Sequence, residues 1–91
     1  MVRTHQLKTW PSAFAAIKSG KKTFEFRIDD RGFQVGDILQ LQEYDPLPNE
    51  YTGSEVLVEV TYIARDLYRF DVREGYVCMS IVPLKQEQAN G

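Results

Sequence analysis

Short segments in which apolar and polar residues alternate recur along this 91-residue chain, and the pattern restricts the folds open to it. A period of two residues is typical of β-strands with one buried face. Five such segments occur along the chain: 3–8, 23–28, 38–44, 55–63 and 76–82. We therefore predict a mostly β, α+β domain whose five strands curl into a small β-barrel, since curling hides strand edges.

One segment has the pattern of a helix. Pro11 suits the first helical position. Phe14 and Ile17 recur at helical spacing, and Gly20 is a natural stop. We predict a helix of two to three turns between the first two strands. Trp10 precedes it and is expected to be buried beneath the helix, with stacking on a ligand ring as the alternative.

Length and composition indicate one globular domain. We predict a single domain over residues 1–84 and a flexible tail over residues 85–91. Cys78 is the only cysteine and His5 the only histidine, so no disulfide framework, metal site or cofactor is expected. With no secretion signal and no long apolar run, the chain is expected to be cytoplasmic, without a membrane partner. The sequence leaves the oligomeric state open.

Charge is unevenly distributed along the chain. The net charge of −2 argues against a generic basic nucleic-acid binder. Residues 1–27 nevertheless carry six basic side chains and one acidic one, whereas residues 28–91 carry five basic and twelve acidic ones. Such asymmetry is a hint of an anionic partner.

The most informative stretch is 20–27, which reads G-x-K-x-x-E-x-R. Strand alternation predicts that its apolar face is buried: Phe24, Phe26 and Ile28. Glu25 and Arg27 share the opposite face about 7 Å apart, and Lys22 can join them where the chain leaves the helix. These charges form either a surface ion pair on an ordinary strand or a site for a ligand.

Each charged residue of this stretch has a plausible role. Lys22 offers a compact charge for a phosphate, and Arg27 a planar fork for a phosphate or a base edge. Glu25 can orient Lys22 or accept from an exocyclic amine. Because a lysine beside a carboxylate can act as a general acid or base, Lys22 and Glu25 are also the catalytic candidates.

Further candidate ligand contacts are polar residues near this stretch: His5, Lys8, Lys21 and Thr23. His5 is either a partly buried histidine bonded to the backbone or a pocket residue. Gly20 is predicted to form the turn that leads from the helix into this stretch and supports the site.

The second half of the chain gives three expectations. The long strand over residues 55–63 should place one set of side chains inward: Val56, Val58, Val60 and Tyr62. Residues 45–54, with two prolines, should form an exposed loop that can wall a cleft. Segment 65–75 is either a solvated connector whose Leu67 and Phe70 cap the core, or a helix with a stripe of arginines suited to single-stranded nucleic acid: Arg65, Arg69 and Arg73.

Gly20, Lys22, Glu25 and Arg27 match the signature of ASCH domains, which are relatives of the PUA RNA-binding fold. Residues 5 to about 82 resemble, within that group, a small ASCH-like family of bacteria and phages. The other residues that carry the resemblance include His5-x-Leu7-Lys8, Trp10-Pro11, Asp29-Asp30-Arg31, Val35-Gly36-Asp37, Tyr51-Thr52-Gly53 and Gly75-Tyr76-Val77.

The resemblance implies a PUA-type β-barrel with a cleft beside the first helix, and RNA or a nucleotide as its ligand. Some ASCH proteins are hydrolases of N4-acetylcytidine, and others cleave RNA. The first type uses a Lys, a Thr and a downstream Glu. Counted from Lys22, the threonine position holds Glu25 here, with Thr23 as the nearby hydroxyl and Glu74 as a candidate for the glutamate.

We therefore expect an RNA- or nucleotide-binding domain. A hydrolase of modified nucleosides or RNA is the first alternative. A protein-interaction module of phage origin, acting through 45–54 or 65–73, is the second.

Overall fold

A computed structural model describes residues 2–84, which form a five-stranded sheet curled into a half-barrel. The elements in chain order are β1 (Thr4–Thr9), α1 (Pro11–Lys18), β2 (Phe24–Ile28), β3 (Ile38–Asp45), β4 (Glu50–Ala64), a 3-10 helix (Leu67–Phe70) and β5 (Tyr76–Pro83). The predicted fold class, five strands with one early short helix, is confirmed. The tail predicted over residues 85–91 lies outside the described residues.

The sheet is ordered β1-β3-β4-β5-β2, with β1 parallel to β3 and the other neighbours antiparallel. β1 and β2 are therefore the two edges. Within residues 2–84 no backbone ladder joins them. Arginine side chains instead donate to β1 carbonyls, from Arg27 Nη2 to Lys8 O at 2.5 Å and from Arg31 Nη1 to Gln6 O at 3.0 Å. We call this gap between the edge strands the seam.

The interior of the half-barrel holds the hydrophobic core. Its buried members come from β1, α1, the 28–38 connection, β3, β4 and β5: Leu7, Ile17, Phe33, Leu39, Leu41, Val58, Val60, Val77, Met79 and Ile81. Fully burying one such side chain stabilises the fold by about 1.5–3 kcal/mol. Helix α1 begins at Pro11 as predicted, and Gly20 has a φ of +84°, which glycine adopts without penalty as the chain turns towards β2.

The predicted burial of the aromatic face of β2 is wrong. Its three apolar side chains are 45–49% exposed: Phe24, Phe26 and Ile28. Glu25 is instead only 4% exposed, because it pairs with the inward-facing Met79 and directly opposed strand residues share a face. Alternation separates two faces without specifying which is interior, and the two cations beside Glu25 allow it to lie there.

Two expectations for the β3–β4 region also need correction. The pairing of β4 with β5 shifts between Val60 and Tyr62, so Tyr62 turns outward and is exposed. The loop expected at 45–54 is confined to residues 46–49. Tyr44 pairs with Tyr51, so the other residues of the expected loop belong to the strands of a long hairpin. Prolines and a glycine in this stretch concealed its strand character, because both are uncommon within strands.

Two aromatic side chains predicted to be buried are exposed. Trp10 lies outside the helix and packs edge-on against Tyr44, with ring centroids 5.9 Å apart. Phe70 is exposed because the connector forms a single 3-10 turn, which brings Leu67 but not Phe70 into a half-buried position. The same short turn means that the helical stripe of three arginines does not form.

Arg65 ties this connector to the 28–38 connection. Its guanidinium donates to Asp29 Oδ2 at 2.7 Å and to Phe33 O at 2.6 Å. Burial alone would raise the pKa of Asp29. Hydrogen bonds from the Phe33 amide, Arg65 and the Gly32 amide outweigh it and hold that pKa below its ordinary value.

Replacing Arg65 by alanine is expected to lower the free energy of unfolding by about 1 kcal/mol, since the ion pair is half-exposed and screened. Urea titration monitored by circular dichroism measures the change. The matched control, Arg69→Ala, removes an exposed arginine of the 3-10 helix and should stay within about 0.5 kcal/mol of the parent. An equal loss in both variants would contradict a specific role for Arg65.

Candidate functional site

The seam opens into a cleft of about 400 Å³ beside the start of α1. Its walls come from the end of β1, the start of α1, β2 and the start of β5. The lining residues are Lys8, Thr9, Trp10, Ala13, Lys22, Glu25, Phe26, Arg27, Ile28 and Tyr76. Both faces of β2 contribute because β2 is an edge strand.

Glu25 is the buried charge of this cleft. Arg27 Nε donates to Glu25 Oε2 at 2.6 Å, and Lys22 Nζ lies 3.5 Å from Glu25 Oε1. The lysine contact supplies charge but does not satisfy Oε1, which has no hydrogen-bond partner among the described residues. A buried acceptor left unpaired costs about 1–3 kcal/mol, so Oε1 is poised to accept from an N–H or O–H group that enters the cleft.

Arg27 bonds other parts of the protein at the site. Nε holds Glu25, while Nη2 crosses the seam to the carbonyl of Lys8. Two of its five N–H donors are therefore engaged within the protein. We infer that Arg27 positions Glu25 and joins the two edge strands, leaving Lys8 and Lys22 as the more available cations.

Thr9 faces the same cleft from the opposite side of the seam. It is buried, and its Oγ1 also has no hydrogen-bond partner among residues 2–84. A hydroxyl can donate as well as accept, whereas an ionised carboxylate only accepts. Thr9 and Glu25 together give the cleft two polar atoms that lack a hydrogen-bond partner within residues 2–84, one from each edge strand.

Flat aromatic surfaces flank these polar atoms. Trp10 is exposed at the mouth of the cleft. Phe26 stacks on Tyr76 with centroids 5.1 Å apart and planes 20° apart, and both rings line the cleft. Lys8 Nζ lies 4.1 Å from the ring centroid of Tyr44, the residue on which Trp10 packs. The cation therefore lies close to the aromatic side of the cleft.

The structure brings together four of the residues predicted from the sequence: Lys8, Lys22, Glu25 and Arg27. Gly20 supplies the predicted turn. His5 lies elsewhere, buried with Nε2 2.9 Å from Asp37 Oδ2 and its ring edge against Phe33.

The remaining predicted residues do not line the cleft. Lys21 is exposed. Thr23 is exposed and borders a small apolar hollow between α1 and β5 instead. Glu74 lies in the exposed turn before β5. Thr23 and Glu74 thus do not assemble with Lys22 around the cleft.

Four residues line the cleft without having been predicted from the sequence as site residues: Thr9, Phe26, Ile28 and Tyr76. Thr9 follows His5 and Leu7 at a spacing of two, so the inward face of β1 could have indicated it. Tyr76 joins the cleft because it pairs with Ile28, a long-range register that alternation does not specify.

Two general properties of the described chain bear on its ligands. Within residues 2–84, no group of three or more histidine, cysteine, aspartate or glutamate side chains is placed to hold a metal ion. The helices in that range are too short to cross a membrane.

The domain is thus a β half-barrel with a charged cleft, flanked by aromatic side chains, at its seam. The sequence profile of the family described as "Domain of unknown function (DUF3850)" matches residues 4–81, and the chain belongs to that family. It is also similar to a protein of Escherichia phage P2 described as "Uncharacterized 12.9 kDa protein in GpA 3'region". The two are 34% identical over 79 residues, which cover 87% of this chain and 68% of the relative.

Proposed function

We propose that the cleft binds a nucleotide unit of RNA, with Glu25 as the residue that recognises the base. One observation carries this proposal: Glu25 Oε1 is buried in an open cleft, held by two cations, and lacks a hydrogen-bond partner within residues 2–84. Exocyclic amines and ring N–H groups of nucleobases are donors that a carboxylate accepts.

The aromatic walls support a planar ligand. Trp10 is exposed beside the cleft, and stacking on an aromatic ring is available to every base because each base has a π-face. A planar ring that enters between the walls can stack while its edge reaches Glu25. This combination distinguishes the cleft from a plain ion-pair site.

The charge of the cleft suits a ligand with few phosphates. Three cationic side chains line it, Lys8, Lys22 and Arg27, and Arg27 already bonds Glu25 and the Lys8 carbonyl. A net charge of −2 gives no long-range attraction to a polyanion. Recognition is therefore expected to rest on base contacts more than on phosphate neutralisation.

The resemblance to ASCH domains supports the same function. Four of its signature positions are Gly20, Lys22, Glu25 and Arg27, and in this structure the last three lie around one cleft. RNA or nucleotide binding is the function expected of that fold. Hydrolysis lacks comparable support, because Thr23 and Glu74 are not among the residues lining the cleft.

Fluorescence anisotropy with a labelled single-stranded RNA decamer of mixed sequence tests the proposal. We expect weak binding at low salt, with a log–log salt slope of about −2 for three phosphate contacts. Replacing Lys22 by alanine should weaken binding severalfold and make the slope shallower by about 0.7.

The control is Lys18→Ala, which removes an exposed lysine in the last turn of α1 outside the cleft. It should leave the affinity within about twofold of the parent, since one distant surface charge contributes little. Equal effects of the two substitutions would indicate diffuse electrostatic attraction. No retention of the decamer at low salt would refute RNA binding.

A further inference from the structure

The outer face of β2 exposes an apolar strip next to the cleft. Phe24, Phe26 and Ile28 point outward, each close to half exposed. Single exposed apolar side chains are common, but successive outward positions of one strand form a continuous patch. Such a patch on an edge strand is available to a ligand that also occupies the cleft.

The patch contains a ready stacking surface. Phe26 and Tyr76 stack on each other with their planes 20° apart, and Phe26 remains 45% exposed, so part of its ring is available to a further aromatic ring. Both line the cleft, so this surface continues around the edge of β2 from the space that Glu25 occupies. Glu25 and Phe26 are consecutive, and strand geometry sends one inward and the other outward.

A cation lies between the two surfaces. Lys22 Nζ is 3.5 Å from Glu25 Oε1 on the inner side and 4.8 Å from the ring centroid of Phe24 on the outer side. A phosphodiester that links a base inside the cleft to a base outside it must pass this edge. The position of Lys22 suits that charge.

We infer that the cleft and the outer Phe26–Tyr76 surface are two subsites for successive nucleotides of one strand. This inference rests on the proposed function. Its ligand class is single-stranded RNA of at least two nucleotides, with the bases splayed to opposite sides of β2, and not a free mononucleotide. Unstacked bases on aromatic side chains are the usual mode of single-stranded RNA recognition.

The test compares RNAs of increasing length on the parent and on Phe26→Leu, which keeps an apolar side chain but removes the flat ring. NMR titration with uridine and adenosine 5′-monophosphates, the corresponding dinucleotides and a mixed-sequence decamer gives the affinities. Phe70→Leu is the matched control, because it makes the same change at an exposed phenylalanine outside the cleft lining.

In the parent, affinity should rise at least about fivefold from one nucleotide to two, as expected for one added base–aromatic stack. Phe26→Leu should reduce that step to less than about twofold, while Phe70→Leu should preserve the step. An undiminished rise in affinity from one nucleotide to two in Phe26→Leu, or no such rise in the parent, would overturn the two-subsite inference. Neither result would refute RNA binding in the cleft. Failure of the parent to bind any of these RNAs would refute the proposed function itself.

Discussion

Replacing Asp37 by alanine is expected to lower the free energy of unfolding by about 3–5 kcal/mol, because it removes the acceptor of a buried polar cluster. Asp37 is 1% exposed. Its Oδ2 accepts from the Gln34 amide at 3.0 Å and lies 2.9 Å from His5 Nε2, and its Oδ1 accepts from the Arg3 amide at 3.2 Å. Without the carboxylate these groups lose their partner inside the fold.

The acid sensitivity of the parent follows from the same contacts. Burial alone would raise the pKa of Asp37, but hydrogen bonds from His5 and from the Gln34 and Arg3 amides outweigh it and hold the pKa below its ordinary value. A carboxyl group with a lowered folded-state pKa stabilises the protein above the unfolded pKa of about 3.9, and this stabilisation is lost as the pH falls through the folded-state pKa.

Urea denaturation of the parent, Asp37→Ala and the exposed control Asp66→Ala at neutral and acid pH measures these effects. The control should change stability by less than about 0.5 kcal/mol. The difference between parent and Asp37→Ala should shrink below pH of about 4. A loss below about 1 kcal/mol at neutral pH would contradict the role of Asp37 as the shared acceptor of this buried cluster.

Replacing Glu25 by glutamine is expected to weaken binding of the RNA decamer about tenfold or more. The direction of the change distinguishes two explanations of binding. If RNA were held by electrostatic attraction alone, removing a negative charge beside the cleft would strengthen binding. If Glu25 accepts from a base, the neutral amide offers a weaker acceptor and a donor in the wrong place, and binding weakens despite the favourable change in charge.

Anisotropy titration of the parent, Glu25→Gln and Glu59→Gln gives the comparison. Glu59 lies on β4 outside the residues that line the cleft, so its replacement reports the effect of net charge alone. Thermal unfolding should show that Glu25→Gln remains folded, since glutamine keeps an oxygen for Arg27. Tighter binding by both glutamine variants would contradict base recognition by Glu25.

Local patterns predicted much of the fold. Alternation located the five strands, and Pro11 and Gly20 bounded the short helix because each has a backbone preference suited to that position. The inner face of β2 could not be predicted in this way. It depends on the pairing of Glu25 with Met79, and this pairing is a property of the whole sheet.

The candidate site was predicted in part. Lys22, Glu25 and Arg27 could be grouped because they lie close together along the chain, whereas the contact of Arg27 with the Lys8 carbonyl joins strands that are adjacent only after folding. His5 offered two interpretations, and in the structure it lies buried beside Asp37, away from the residues that line the cleft. Thr9 and Tyr76 required knowledge of which strands meet at the seam.

Backbone NMR of the parent during titration with the RNA decamer at low salt tests the central claim most directly. Binding in the cleft predicts that the largest shift changes fall on the indole N–H of Trp10 and on the amides of residues 8–10 and 22–28, and that Glu25→Gln diminishes them. The opposite result would be no change at these positions, or changes concentrated elsewhere, for example in a second hollow that Glu55, Leu57 and Leu84 line between β4 and the end of β5.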